Sequence, residues 1–300
     1  MSSVDRWEPK LRVRASGFGG SGYRIPTRVG ADGKPQLVPG ITTVNNAINI
    51  PGLVQWSVDQ TAAYAVTHPD DIRNRTEIQG WGFLRHYHNR KPDLDSPETN
   101  IYNAHVGVLN DLAELGSITH DWINDFVTGG FPEDPSRDEQ AEMIVKFLEW
   151  WDIHEVEVIA TEVTVVGDGY AGTLDHIWKI DGTVTIVDTK TSRKIRETHL
   201  AQLAAIGASE AMMREVPPGT EGATEYVTDM WGKTYWVEDV LPPFTKYAAL
   251  HLRPSTEDGP AFCKLEKIPQ EAIDSGHIMF RGALLIKRAQ SEMKKGKWLD

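Results

Sequence analysis

The segment from Glu155 to Thr189 constrains the chain most. Three runs rich in β-branched and apolar residues, Glu155–Val166, Tyr170–Ile180 and Thr183–Thr189, are separated by Gly169 and by Asp181-Gly182. An Asp-Gly pair between two extended runs is the signature of a two-residue hairpin, whose central positions need positive φ. The three runs therefore predict an antiparallel meander.

Around the meander the periodicity changes. Residues 10–40 are rich in Gly and Pro, and Asp32-Gly33 divides two extended stretches, which predicts a β-hairpin or short meander. From Thr42 to Val66 the pattern is helical, with Thr43 as N-cap and Pro51 breaking the run in two. Further helices are predicted over 78–90, 102–128, 138–151, 197–214 and 269–296, and strands over 224–238, 245–252 and 260–266. With no internal repeat and no low-complexity linker, the expectation is a single α/β domain over residues 1–300. It would comprise an N-terminal hairpin region (1–41), a helical region (42–152), and a sheet core with a closing helix (153–300).

Composition narrows the chemistry. Cys263 is the only cysteine. It leaves no internal disulfide, no iron–sulfur cluster and no cysteine-type zinc site, so any metal must rest on oxygen and imidazole ligands. No apolar run approaches the roughly 20 residues of a membrane helix, and the opening MSSVDRWEPK lacks the apolar core of a secretory signal. A cytoplasmic protein with no membrane partner is expected. The net charge of -12 disfavours a phosphate-rich partner. Its distribution softens that objection, because basic residues cluster at Lys190–Arg196 and again at Lys287, Arg288, Lys294, Lys295 and Lys297. A solvated face is the plain alternative for the tail.

The chemistry-bearing residues lie in the meander. Gly172-Thr173-Leu174-Asp175 falls on its second strand and Asp188-Thr189-Lys190 ends its third. Neighbouring strands joined by a tight turn can bring Asp175 and Asp188 together, and residues two apart on a strand share a face, so Lys190 points the way Asp188 does. Two carboxylates about 4 Å apart repel by roughly 4 kcal/mol at an intermediate effective dielectric. A shared proton, the lysine or a divalent cation would relieve that, and Mg²⁺ suits carboxylates combined with water and phosphate oxygens. Either motif alone arises often by chance, with strand capping as the plain reading.

Taken together, these motifs resemble the PD-(D/E)XK nuclease superfamily, and within it the RecB-type exonucleases of phage recombination and CRISPR adaptation. Gly116-Ser117-Ile118-Thr119-His120, then Gly172 to Asp175, then Asp188-Thr189-Lys190-Thr191 follow the family order over roughly residues 115–206. The resemblance implies a restriction-endonuclease-like central mixed sheet flanked by helices. It implies Asp175, Asp188, His120, Glu162 and the Thr189 carbonyl as metal ligands, Lys190 as the catalytic lysine, and Gln202 at the scissile phosphate. Arg193, Lys194 and Arg196 would grip the DNA backbone. Ile206 stands where the family carries tyrosine, so the hydroxyl is lost there.

The implied activity is a Mg²⁺-dependent DNA exonuclease, with Mn²⁺ as an alternative ion, in phage-type recombination, repair or replication. If phage-encoded, it would work in the host cytoplasm. Relatives assemble into homo-oligomers and serve beside recombination partner proteins, and the resemblance leaves both open here. A structure-specific endonuclease and a catalytically silent DNA-binding protein are the other readings of the same residues. His199, near the basic loop, reads as a surface residue rather than a phosphate ligand. Trp56, Trp81, Trp122, Trp150 and Trp151 read as core rather than as base-stacking platforms.

Overall fold

The structure is a computed structural model and describes residues 10–15, 18, 20–48, 51–79 and 104–295. The chain forms two compact units, residues 49–117 and, together, residues 1–48 and 118–300. The first of these contains α2 (Pro51–Thr67), α3 (Pro69–Gln79) and the opening turns of α4 (Ala104–Val127). The helix expected over 78–90 falls mainly beyond Gln79, outside the described residues, as do Trp81 and Lys297.

The larger unit is built on an eight-stranded mixed sheet of order β11-β10-β6-β5-β4-β7-β9-β8. The predicted meander supplies its middle: β4 (Val156–Gly167), β5 (Tyr170–Ile180) and β6 (Thr183–Lys190) are antiparallel neighbours. Asp181 and Gly182 form the β5–β6 turn, both at positive φ (48° and 83°). On its other side β6 pairs in parallel with β10 (Lys246–Arg253), which in turn pairs with β11 (Phe262–Ile268). A smaller antiparallel sheet of β1 (Arg12–Ala15), β2 (Gly20–Val29) and β3 (Pro35–Pro39) realises the N-terminal meander.

The central strands are buried on both faces, which is why they read as continuous apolar runs rather than alternating ones. Val165 and Tyr170 join one core with α1 (Ile41–Asn45), α6 (Glu197–Gly207) and α7 (Gln270–Lys295), through Ile41, Leu203, Ile206, Phe280 and Leu284. Their neighbours Val166 and Ala171 point the other way, into a core with Leu11, Tyr23, Ile25 and Val38 of the N-terminal region. On the same side as Trp178, α5 (Asp138–Ile153) lays Trp150 and Trp151 against that ring, with centroids 6.2 and 5.5 Å away. Trp150 is buried in the core and Trp151 is half-buried at its edge. Gly172 makes one close approach possible: a Cβ there would stand 2.4 Å from Ile41 Cδ1, so this glycine lets α1 lie against β5.

Three expectations are corrected. The helix over 197–214 stops at Gly207, where a Cβ would meet the Tyr247 hydroxyl at 2.1 Å. Ala211–Glu215 is instead strand β7, paired with β4 and β9. The strand over 224–238 is a hairpin of β8 (Thr224–Thr228) and β9 (Gly232–Asp239). Thr43 does not cap α1. It lies inside that helix, buried, and its hydroxyl donates to the Ser21 carbonyl 2.8 Å away.

Candidate active site

The site lies where the β5–β6 ladder opens. The last paired residues are His176 and Val187, and continuing that register brings Asp175 opposite Asp188. There the Thr189 amide donates to Asp175 Oδ2 at 2.9 Å. The side chain thus takes up a strand amide and is fixed by it. Leu174 and Ile177 both enter the same core although they are three residues apart, so the two-residue alternation breaks across Asp175 and His176.

His120 comes from the last turns of α4. Its Nε2 lies 2.9 Å from Asp175 Oδ2, and its Nδ1 lies 3.4 Å from Glu162 Oε1. Burial alone would favour the neutral ring, but the charge and hydrogen bond of Asp175, aided by Glu162, outweigh it and raise the imidazole to about 10. For Asp175, burial pushes up, yet the His120 cation and hydrogen bond prevail and hold the carboxyl below its usual range.

Asp188 is 1% exposed. Lys190 Nζ stands 2.5 Å from its Oδ2, and Gln202 of α6 donates from Nε2 to Oδ1 at 3.1 Å. Burial raises Asp188 to about 7; Lys190 opposes that shift and the like charge of Asp175 adds to it. Burial likewise works against the Lys190 cation, but Asp188 and Asp175 together raise the amine. Despite the ion pair, Asp188 Oδ2 accepts no well-directed hydrogen bond, and the Thr189 hydroxyl is also buried without one.

Glu162 is the strained member. It lies in β4 opposite Asp175 yet has φ +53°, in the left-handed region. Asn124 Nδ2 donates to its Oε1 at 2.5 Å, and burial is the main cause that raises its carboxyl. Strained backbone of this kind persists where surrounding contacts over-determine it. Two substitutions separate backbone from carboxylate. Glu162→Gly is expected to keep unfolding free energy within about 1 kcal/mol of the parent, because glycine relieves the left-handed cost as the contacts are lost. Glu162→Val removes the same carboxylate but keeps the strain, and should be less stable than Glu162→Gly by roughly 2 kcal/mol in urea denaturation. Equal stability of the two variants would mean that the backbone stores no strain there.

Behind the acids, His176 is fully buried, stacked on Trp178 at 4.3 Å, and burial lowers it to about 3. His199 is half-buried. Its Nδ1 accepts from the Arg196 amide at 3.2 Å, so the ring is neutral and braces the start of α6, and burial lowers it to about 3. Ile206, where the resemblance would place a tyrosine, is core.

The predicted basic residues follow Lys190 directly. Arg193 pairs with Asp258 at 3.0 Å, Lys194 is exposed, and Arg196 is half-buried at the start of α6. His251 was not anticipated. It is buried on β10 beside Lys190, its Nε2 donating to the Ser192 carbonyl at 2.7 Å and its Nδ1 lying 2.7 Å from Glu266 Oε1. This ring ties down the loop after Lys190. A histidine inside the apolar run Ala248–Leu252 was the available signal. Asn124, one turn beyond His120, was the signal for the Glu162 contact.

The oxygen and nitrogen donors of Asp175, Asp188, Glu162 and His120 are those a hard divalent cation takes. Among the described residues, no group of three or more His, Cys, Asp or Glu side chains is arranged to hold a metal ion. His120 and Lys190 occupy the acids as counter-charges instead. No protein-family model matches the chain, and no curated protein matches it. Among the described residues, no helix is long and apolar enough to cross a membrane.

Proposed function

We propose that this chain is a Mg²⁺-dependent deoxyribonuclease of the PD-(D/E)XK, RecB-type kind. It would hydrolyse DNA from an end in phage-type recombination, repair or replication. One observation carries the reading: Glu162, His120 and Asp175 form one set of contacts and Gln202, Asp188 and Lys190 another, and the Thr189 amide of β6 joins the two at the opening of two central strands. Asp188 Oδ2, buried and held by the Lys190 ammonium without a well-directed hydrogen bond, is an oxygen of the right chemistry for a cation.

Asp175, Asp188 and Glu162, with His120 and the Thr189 carbonyl, would hold the cation. A cation so bound supplies neutralising charge at the phosphate and acidifies water at neutral pH. The chain's own groups do the rest. Lys190, freed from Asp188, places an ammonium where negative charge builds on phosphorus. Gln202 keeps Asp188 oriented and offers an amide beside the phosphate. Arg193, Lys194 and Arg196 hold the adjoining backbone. Water adds to phosphorus as the P–O bond to the leaving strand breaks.

The test is a time course on end-labelled linear DNA and on closed circular DNA, in Mg²⁺, Mn²⁺ and EDTA. Loss of linear DNA alone, only with metal, is the expected result. Cleavage of circles would make the enzyme an endonuclease with the same centre. The occupation of both acids by His120 and Lys190 favours a second reading, a silent DNA-binding protein. DNA binding without cleavage in any of the three conditions would establish that reading.

A further inference from the structure

The long C-terminal helix α7 has two apolar faces. Ile273, Phe280, Ala283 and Leu284 enter the core beneath it. A second stripe faces outward: Ile278 is 74% exposed, Leu285 62%, Ile286 49% and Met293 47%, and Gly282 and Ala289 are exposed between them. At 100° per residue these six positions span about 100° of the helix surface and about 22 Å of its length. A Cβ at Gly282 would meet nothing within 4 Å.

The order of the stripe identifies what covers it. About a point midway between residues 285 and 286, Leu285 mirrors Ile286, Gly282 mirrors Ala289, and Ile278 mirrors Met293. Large residues sit at the centre, small ones flank them, and large ones close each end. An antiparallel pair of identical helices related by a two-fold axis through that point sets each residue against its mirror in the other copy. Large then meets large, small meets small, and the backbones approach at Gly282 and Ala289. A two-fold interface must be self-complementary in this manner.

Charge agrees with the geometry. The two-fold axis brings one edge of the stripe against the same edge of the second copy. That edge carries Arg281, Arg288, Glu292 and the nearby Asp168, to which both arginines are paired. Two charges of each sign leave it neutral, although the whole chain carries -12.

We infer that α7 is a homodimerisation surface whose occupant is the α7 of a second copy. A contact of this length buries roughly 500 Å² per chain, at the small end of specific interfaces, so the dimer is reversible and concentration-dependent. Two chains of the same net charge repel, so raising salt tightens the dimer rather than loosening it.

Sedimentation equilibrium of the full chain across micromolar concentrations tests this. The expected result is a monomer–dimer equilibrium of the 33.5 kDa chain, stronger at high salt and weakened at least about tenfold by Leu285→Arg, a loss near 1.4 kcal/mol. Leu285 lies outside the core, so circular dichroism of that variant should match the parent. Register is read by oxidative cross-linking in a Cys263→Ser background. Gly282→Cys mixed with Ala289→Cys should form a disulfide-linked heterodimer, while Ile278→Cys alone should remain uncrosslinked. A monomer at every concentration, or a dimer indifferent to Leu285→Arg, overturns the proposal.

Discussion

Lys190→Ala is expected to lower DNA cleavage by roughly 10²- to 10³-fold, the scale of removing one group that stabilises developing charge. Its effect on the folded chain depends on pH. Lys190 is the counter-charge of Asp188, which is 1% exposed and already raised to about 7. Without the ammonium, Asp188 rises further and takes up a proton at neutral pH, which bounds the cost of leaving it unpaired. A carboxyl with a raised folded-state pKa costs stability progressively from its unfolded pKa up to its folded pKa, so parent and variant diverge only above about pH 7, where the parent's cost is complete and the variant's still grows. In chelator the variant should therefore be near parent stability at pH 6 and weaker by roughly 3 kcal/mol at pH 9. Urea denaturation at the two pH values measures this. Cleavage at near the parent rate would remove Lys190 from the mechanism. A stability loss equal at both pH values would mean that Lys190 acts through packing rather than charge.

The elements that bear the site were legible because local signals and tertiary needs agree there. Asp181-Gly182 can do little but turn, and the β-branched runs around it are buried on both faces. Where the reading failed, a local pattern was overruled from afar. Residues 208–215 contain Ala, Met and Glu, all good helix formers, but Ala211–Glu215 fills the gap between β4 and β9, and that pairing outweighs helix propensity. Thr43 looks like a cap in sequence, yet its hydroxyl is taken by Ser21, a partner 22 residues away. No short-range rule could supply that.

The site divides in the same way. The order of His120, Asp175, Asp188, Lys190 and Gln202 was visible, and the fold places all five in one contact network. What periodicity could not give is the manner of joining. Glu162 reaches the network through a left-handed residue inside a strand, and Asp175 through a strand amide that a regular ladder would have used. Both are departures from regular geometry, and a pattern-based reading assumes regularity. His251 was missed because a lone histidine in an apolar strand resembles a core residue until its two partners are seen.

His120 should govern the alkaline stability of the metal-free chain. Its folded-state pKa is about 10 against an ordinary 6.5, raised by Asp175 and Glu162 over the opposing effect of burial. A base raised in this way stabilises the fold fully below pH 6.5, and that stabilisation is lost as pH rises from 6.5 to about 10. Asp188 loses its proton near 7, so its own penalty is mostly complete by pH 7.5. Between pH 7.5 and 9.5 in EDTA, the parent should lose about 2–3 kcal/mol of unfolding free energy. His120→Gln, which keeps an amide donor but cannot titrate, should lose less than half of that. If divalent cation replaces the proton on this ring, Mg²⁺ should stabilise the parent more at pH 9.5 than at pH 7.5, reversing the metal-free trend. An identical alkaline loss in His120→Gln would show that the Asp175 and Glu162 carboxylates do not hold a proton on His120, and the electrostatic frame of the site would have to be rebuilt around Lys190 alone.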